Sequence, residues 1–135
     1  MVKVYYGKKG IGKTKSLIEK ANELSENAKG DIVFIDRKPD YRFELKHKVR
    51  FVNASEYPVS DSRVFLGFLA GILTGNYDIE IIFVDGLTHI VNYDEEGYKV
   101  FYNALSKLSE ENNVDFYLTH SADTDEVPDY IKQYI

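Results

Sequence analysis

The chain has 135 residues, 44% of them hydrophobic and 29% charged, with a formal net charge of −5. That length and balance suit one domain spanning residues 1–135 and exclude a disordered or fibrous chain. The lack of cysteine excludes disulfides, thiolate metal sites and cysteine nucleophiles.

Val2–Tyr6 is β-branched and aromatic, a strand pattern and not a secretion signal, so a cytoplasmic protein is expected. Gly7–Lys13 reads as a loop. Thr14–Lys29 reads as a helix, because Leu17, Ile18, Ala21, Leu24 and Ala28 recur on one face of a 3.6-residue period. Gly30 stands where a helix C-terminal glycine belongs. Asp31–Asp36 is a second strand, and Pro39 marks the loop after it. Tyr41–Leu45 fits either a turn of helix or an edge strand, and Val49–Val52 is a third strand.

Ser60 or Asp61 caps a helix running from Ser62 to about Thr74. It is apolar nearly all round, as a buried helix is, and Gly67 and Gly71 leave room for close packing. Its run Val64–Leu73 is about half the length of a membrane span. In Ile79–Asp85 the stretch Ile81–Val84 is continuously apolar, as in a central parallel strand covered on both faces. Asp94 caps a third helix to about Glu111, with Val100, Phe101, Ala104, Leu105 and Leu108 facing inward. Val114–Thr119 is the last strand, and Val127–Ile135 a short helix starting near Pro128. Strands alternating with helices predict an α/β fold: a three-layer sandwich around a mainly parallel sheet of about five strands.

Gly7-Lys8-Lys9-Gly10-Ile11-Gly12-Lys13-Thr14 matches G-x-x-x-x-G-K-S/T at every fixed position. Glycines allow backbone angles that turn successive N–H groups toward one point, and the following helix adds its positive end. Lys13 is expected to reach the β- and γ-phosphates of a nucleotide, and the Thr14 hydroxyl to coordinate Mg²⁺. The candidate nucleotide-binding residues are Gly7, Lys8, Lys9, Gly10, Ile11, Gly12, Lys13, Thr14 and Lys15. Asp85, ending a buried strand, is the expected carboxylate near the metal. Charge agrees with a polyanionic ligand: residues 1–63 hold 14 Lys/Arg against 9 Asp/Glu, whereas residues 64–135 hold 3 against 13. The acidic whole argues against a nucleic-acid-binding surface, and the eleven tyrosines do not interleave with basic residues.

Taken in order, GKKGIGKT, VFID, IIFVDGLTHI and FYLTHSAD resemble the P-loop NTPase superfamily over nearly the whole chain, and within it RecA/KaiC-like ATPase cores. The chain is also similar to small stand-alone P-loop proteins labelled as twitching-motility ATPases; the retraction motors themselves resemble it only at the nucleotide site. Where many such ATPases place Glu after the strand-end Asp, this sequence has Gly86. RecA-like members carry a carboxylate at the end of the second strand instead. The resemblance therefore makes Asp36 the catalytic candidate that orients or deprotonates water, alongside Lys13, with Asp40 and Glu44 as alternatives. Thr119 or His120, at the last strand's end, would face the terminal phosphate. Lys8 stands where MinD/ParA-type ATPases carry an extra lysine, a second resemblance that implies a dimeric ATPase.

The expected function is Mg²⁺-dependent ATP binding with slow hydrolysis. The alternative is a nucleotide-dependent switch without turnover, presenting a surface to a protein partner or a second copy. No Asn-Lys-x-Asp guanine motif is present, and the resemblance favours ATP. None of the four arginines, Arg37, Arg42, Arg50 and Arg63, is singled out by sequence as a phosphate contact.

Overall fold

Alternation of side chains along parallel strands sets the architecture. The computed structural model describes residues 1–135, the side chain of Ser62 excepted. Its elements are β1 (Val2–Gly7), α1 (Lys13–Ser25), β2 (Asp31–Asp36), β3 (Val49–Asn53), α2 (Ser62–Gly75), β4 (Ile79–Val84), α3 (Leu87–Ile90), α4 (Glu95–Asn112), β5 (Asp115–Ser121) and α5 (Asp129–Lys132). Short 3₁₀ turns at Arg42–Glu44 and Ala54–Glu56 flank β3. All neighbouring strands are parallel, in the order β1-β5-β4-β2-β3.

In β2, Ile32 and Phe34 point to one face while Val33 and Ile35 point to the other; in β4, Ile81 and Phe83 alternate with Ile82 and Val84 in the same way. Helix α1 covers the first face with Leu17, Ile18 and Ala21. Helices α2 and α4 cover the second with Phe65, Leu69, Phe101 and Leu105. The result is a three-layer α/β sandwich. Phe83 sits in its middle layer, stacked between Phe34 at 5.9 Å and Tyr117 at 5.0 Å between ring centroids. The outer edge of β1 is partly covered by the C-terminal segment, where the Val4 amide donates to the Tyr134 carbonyl at 2.7 Å. Among the described residues no helix is long and apolar enough to cross a membrane.

Several local expectations change. Helix α1 ends at Ser25, so Gly30 does not cap it. Gly30 instead lies where β2 begins beside β4: a Cβ there would stand 2.2 Å from the Asp78 carbonyl oxygen, and its amide donates to Glu80 at 2.9 Å. Helix α2 is only half covered. Phe65, Leu69 and Leu73 are buried, but Val64 is 46% exposed, and no described atom lies within 4 Å of a Cβ built on Gly67 or Gly71. Those glycines therefore do not serve close packing. Helix α4 is rotated from the expected phase: Val100 is exposed, and Tyr98 and Tyr102 take inward positions beside Phe101 and Leu105. Tyrosine can do this because the Tyr98 and Tyr102 hydroxyls each find a buried polar partner, Val91 O and His120 Nδ1.

Two substitutions separate these glycine roles. Gly30→Ala forces backbone apart and should lower stability in urea by about 2 kcal/mol or more. Gly67→Ala or Gly71→Ala, in open helix, should raise it by about 0.5–1 kcal/mol. Destabilisation by the helix changes would show that the α2 face is packed.

Candidate functional site

Because the sheet is all parallel, the carboxyl ends of its strands share one rim, the usual place for ligands in open α/β sheets. The loop from β1 to α1 arches over this rim. Gly10 and Gly12 hold φ angles of 82° and 90°, left-handed conformations that side-chain-bearing residues rarely adopt. Gly12 begins α1 without any side-chain cap. By contrast, Asp61 and Asp94 cap α2 and α4 by accepting from the Arg63 and Gly97 amides. The first-turn amides of α1 are thus left for another acceptor, with the helix dipole behind them.

A cavity of about 840 Å³ lies below the loop, lined by Lys9, Gly10, Gly12, Lys13, Thr14, Lys15, Asp36 and Asp85 among others. These expected site residues, distant in sequence, share one cleft. Gly7, Lys8 and Ile11 do not line it. Ile11 packs over Gly7, with Cδ1 2.5 Å from where a Cβ would stand. Lys8 acts through its backbone: its amide donates to Asp125 Oδ1 at 2.9 Å, and its carbonyl accepts from Lys13 Nζ at 2.6 Å. Burial pulls the Lys13 ammonium below the usual lysine range, while Asp125 and Asp85 push it back up.

Strand parity places the acids. Asp36 continues the Ile32–Phe34 row and Asp85 the Ile81–Phe83 row, so both carboxylates emerge on the α1 face beneath the loop. Thr14 Oγ1 lies 3.1 Å from each Asp85 oxygen. Thr119 donates to Asp85 Oδ1 at 2.7 Å and accepts from the Gly86 amide at 2.7 Å. Asp36 and Asp85 are 6% and 5% exposed and line the same cavity. Burial, then the Asp85 charge, push Asp36 up to about 7, although the Lys38 amide donates to it at 3.2 Å. Among the described residues no three His, Cys, Asp or Glu side chains form a metal-binding group.

His120 does not face the cleft. Its parity is opposite to that of Thr119, and its ring is buried against Tyr6, Tyr98 and Tyr102. Its Nδ1 is 2.8 Å from the Tyr102 hydroxyl. Burial, helped by Lys13, lowers it to about 4, so it is a neutral core side chain and not a phosphate sensor. Of the alternatives to Asp36, Glu44 lines the cavity and Asp40 does not. Sequence reasoning passed over Arg37, Lys38, Tyr41 and His89, which also line it. Adjacency to Asp36 could have found Arg37; the others follow from loop paths that no local pattern encodes.

The Asp36 shift predicts an inverted pH dependence. Folding raises this carboxyl from 3.8, so the folded state holds a proton that the unfolded chain releases between about pH 4 and 7. Asp36 therefore costs stability above pH 7, and the cost fades as pH falls. Asp36→Asn, which keeps an acceptor for Lys38 and gains a donor toward Asp85, should stabilise the ligand-free protein at pH 8 on the order of 2 kcal/mol, with little change at pH 4. Equal effects at both pH values in urea unfolding would remove the assigned proton.

No protein-family model matches the chain, and no curated protein matches it significantly, so its chemistry is read from this site.

Proposed function

We propose that the chain is a P-loop nucleotide-binding protein with a RecA-like core, and that it takes up Mg²⁺-ATP in the cleft below Gly7–Thr14. One observation carries this reading: an uncapped helix N-terminus, left-handed glycines, a lysine ammonium and a hydroxyl–carboxylate pair converge on one cavity. Polyphosphate is the ligand class that uses all of them together. The loop amides and Lys13 hold phosphate oxygens, and Lys13 leaves the Lys8 carbonyl to do so.

Thr14 and Asp85 would hold Mg²⁺. The fit is good because magnesium takes hard oxygen ligands and needs only one or two carboxylates beside phosphate and water. Bound there, the metal would neutralise charge on the phosphates. Thr119 fixes the Asp85 carboxylate by its 2.7 Å hydrogen bond, and β5 places Asp85 one strand away from β1. Asp36, in the same cavity as Asp85, is the group that would orient a water or take its proton. The short reach of aspartate and the glycine after Asp85 make slow hydrolysis the expected rate. Gly86 in place of glutamate also favours a second reading, a nucleotide-dependent switch without turnover.

Thermal unfolding with Mg²⁺ and ATP, ADP or GTP tests the binding. A nucleotide at about 100 times its dissociation constant adds roughly 2.7 kcal/mol, an upward shift of roughly 10 °C for a chain of this size. Lys13→Ala should lose most of it. No shift with any nucleotide rejects the proposal. Phosphate release separates the two readings: turnover lost in Asp36→Ala with affinity retained marks a hydrolase, and binding without turnover marks a switch.

A further inference from the structure

Of the four arginines, Arg37 alone lines the cleft among the described residues. It follows Asp36 at the end of β2, which lies three positions from β1 in the sheet. The cradle is anchored at the other wall, by the loop after β1 and the first turn of α1. With strands about 4.8 Å apart, a chain of phosphates starting there and passing over Asp85 on β4 approaches β2 with its far end. Arg37, just after β2, lines the cleft on that side.

The guanidinium is poorly committed where it rests. Its Nη1 donates to the His89 carbonyl at 3.2 Å, an exposed contact to a neutral acceptor. It joins none of the ion pairs among the described residues, although Asp36 is its neighbour in sequence. It also borders a second cavity of about 440 Å³, so the side chain adjoins open space in two cavities. Lys9, Arg37 and Lys38 together hold the His89 imidazolium below its ordinary range, after burial itself, which marks this wall as positively charged. A phosphoryl group offers a planar fork of donors charged acceptors that a carbonyl does not.

We propose that Arg37 reads the terminal phosphate: its guanidinium leaves the His89 carbonyl and closes on the γ-phosphoryl oxygens, so that the site separates nucleoside triphosphate from diphosphate. The assignment rests on the nucleotide reading above and deepens it. Arg37 is a specificity-determining residue, distinct from Lys13, whose contact to the β-phosphate is common to di- and triphosphate.

Isothermal titration of the full chain with Mg²⁺-ADP and with a non-hydrolysable imido analogue of Mg²⁺-ATP tests it without requiring turnover. The wild-type chain should bind the triphosphate analogue about ten-fold or more tightly than ADP, the worth of one charge-assisted contact. Arg37→Ala and Arg37→Gln should bring the two within about two-fold while ADP affinity stays put; retained ADP binding also shows that the variants fold. Arg50→Ala, which removes an equal charge from β3, should keep the wild-type ratio. Retention of the ratio in both Arg37 variants, no preference in the wild type, or an equal loss for both ligands overturns the role of Arg37 alone. Binding of neither ligand by the wild type overturns the nucleotide reading itself.

Discussion

Asp85 is the point at which loop, sheet and cleft are joined. Its carboxylate accepts from Thr119 on the neighbouring strand, lies within hydrogen-bond reach of Thr14 at the start of α1, and shares the cleft with Asp36 at the end of β2. A nearly buried carboxylate is costly unless its oxygens are satisfied. Here the satisfaction comes from two elements far apart in sequence, α1 and β5, so the geometry of the cleft follows from keeping this one acid solvated by protein. The Asp85 amide is spent as well, donating to the Ile35 carbonyl at 2.8 Å and locking β4 to β2 at the rim.

Around that acid the cleft balances charge in layers. Two nearly buried carboxylates stand in it, and burial first, then the Asp85 charge, raise the Asp36 carboxyl to about 7. Lys9, Lys13, Lys15, Arg37 and Lys38 ring the opening. Acids and bases gathered in one cleft suit an anion held together with a divalent cation.

Much of this was legible before any coordinates. The order of the strands and longer helices, the parallel α/β character and the loop spacing follow from short-range patterns: apolar periods of 2 and 3.6, capping aspartates at Asp61 and Asp94, and glycines at fixed offsets; the one-turn helix Leu87–Ile90 was too short to show a period. Asp36 and Asp85 were reachable because each ends an apolar strand. The misses share a cause. Val100 against Tyr98 and Tyr102 was a question of helix phase, settled by tyrosine hydroxyls finding the Val91 carbonyl and His120. Gly30 was a question of which backbone approaches it, and Gly67 and Gly71 of what stands opposite; neither is a local property. Strand parity already allowed only one of Thr119 and His120 to face the cleft; the packing of His120 against Tyr6, Tyr98 and Tyr102 made it Thr119.

The sequence by itself determined the alternation of strands and helices, the glycine loop with Lys13 and Thr14, and the two acids at strand ends, because each is written in residues close along the chain. Only the tertiary structure decided that β5 lies between β1 and β4, that Thr119 holds Asp85 while His120 turns into an aromatic core, and that Arg37 is the arginine at the cleft. Those outcomes depend on strand order and on which face each side chain meets. Both are set by the packing of α1 against one side of the sheet and α2 and α4 against the other, a competition among distant residues that no short stretch of chain contains.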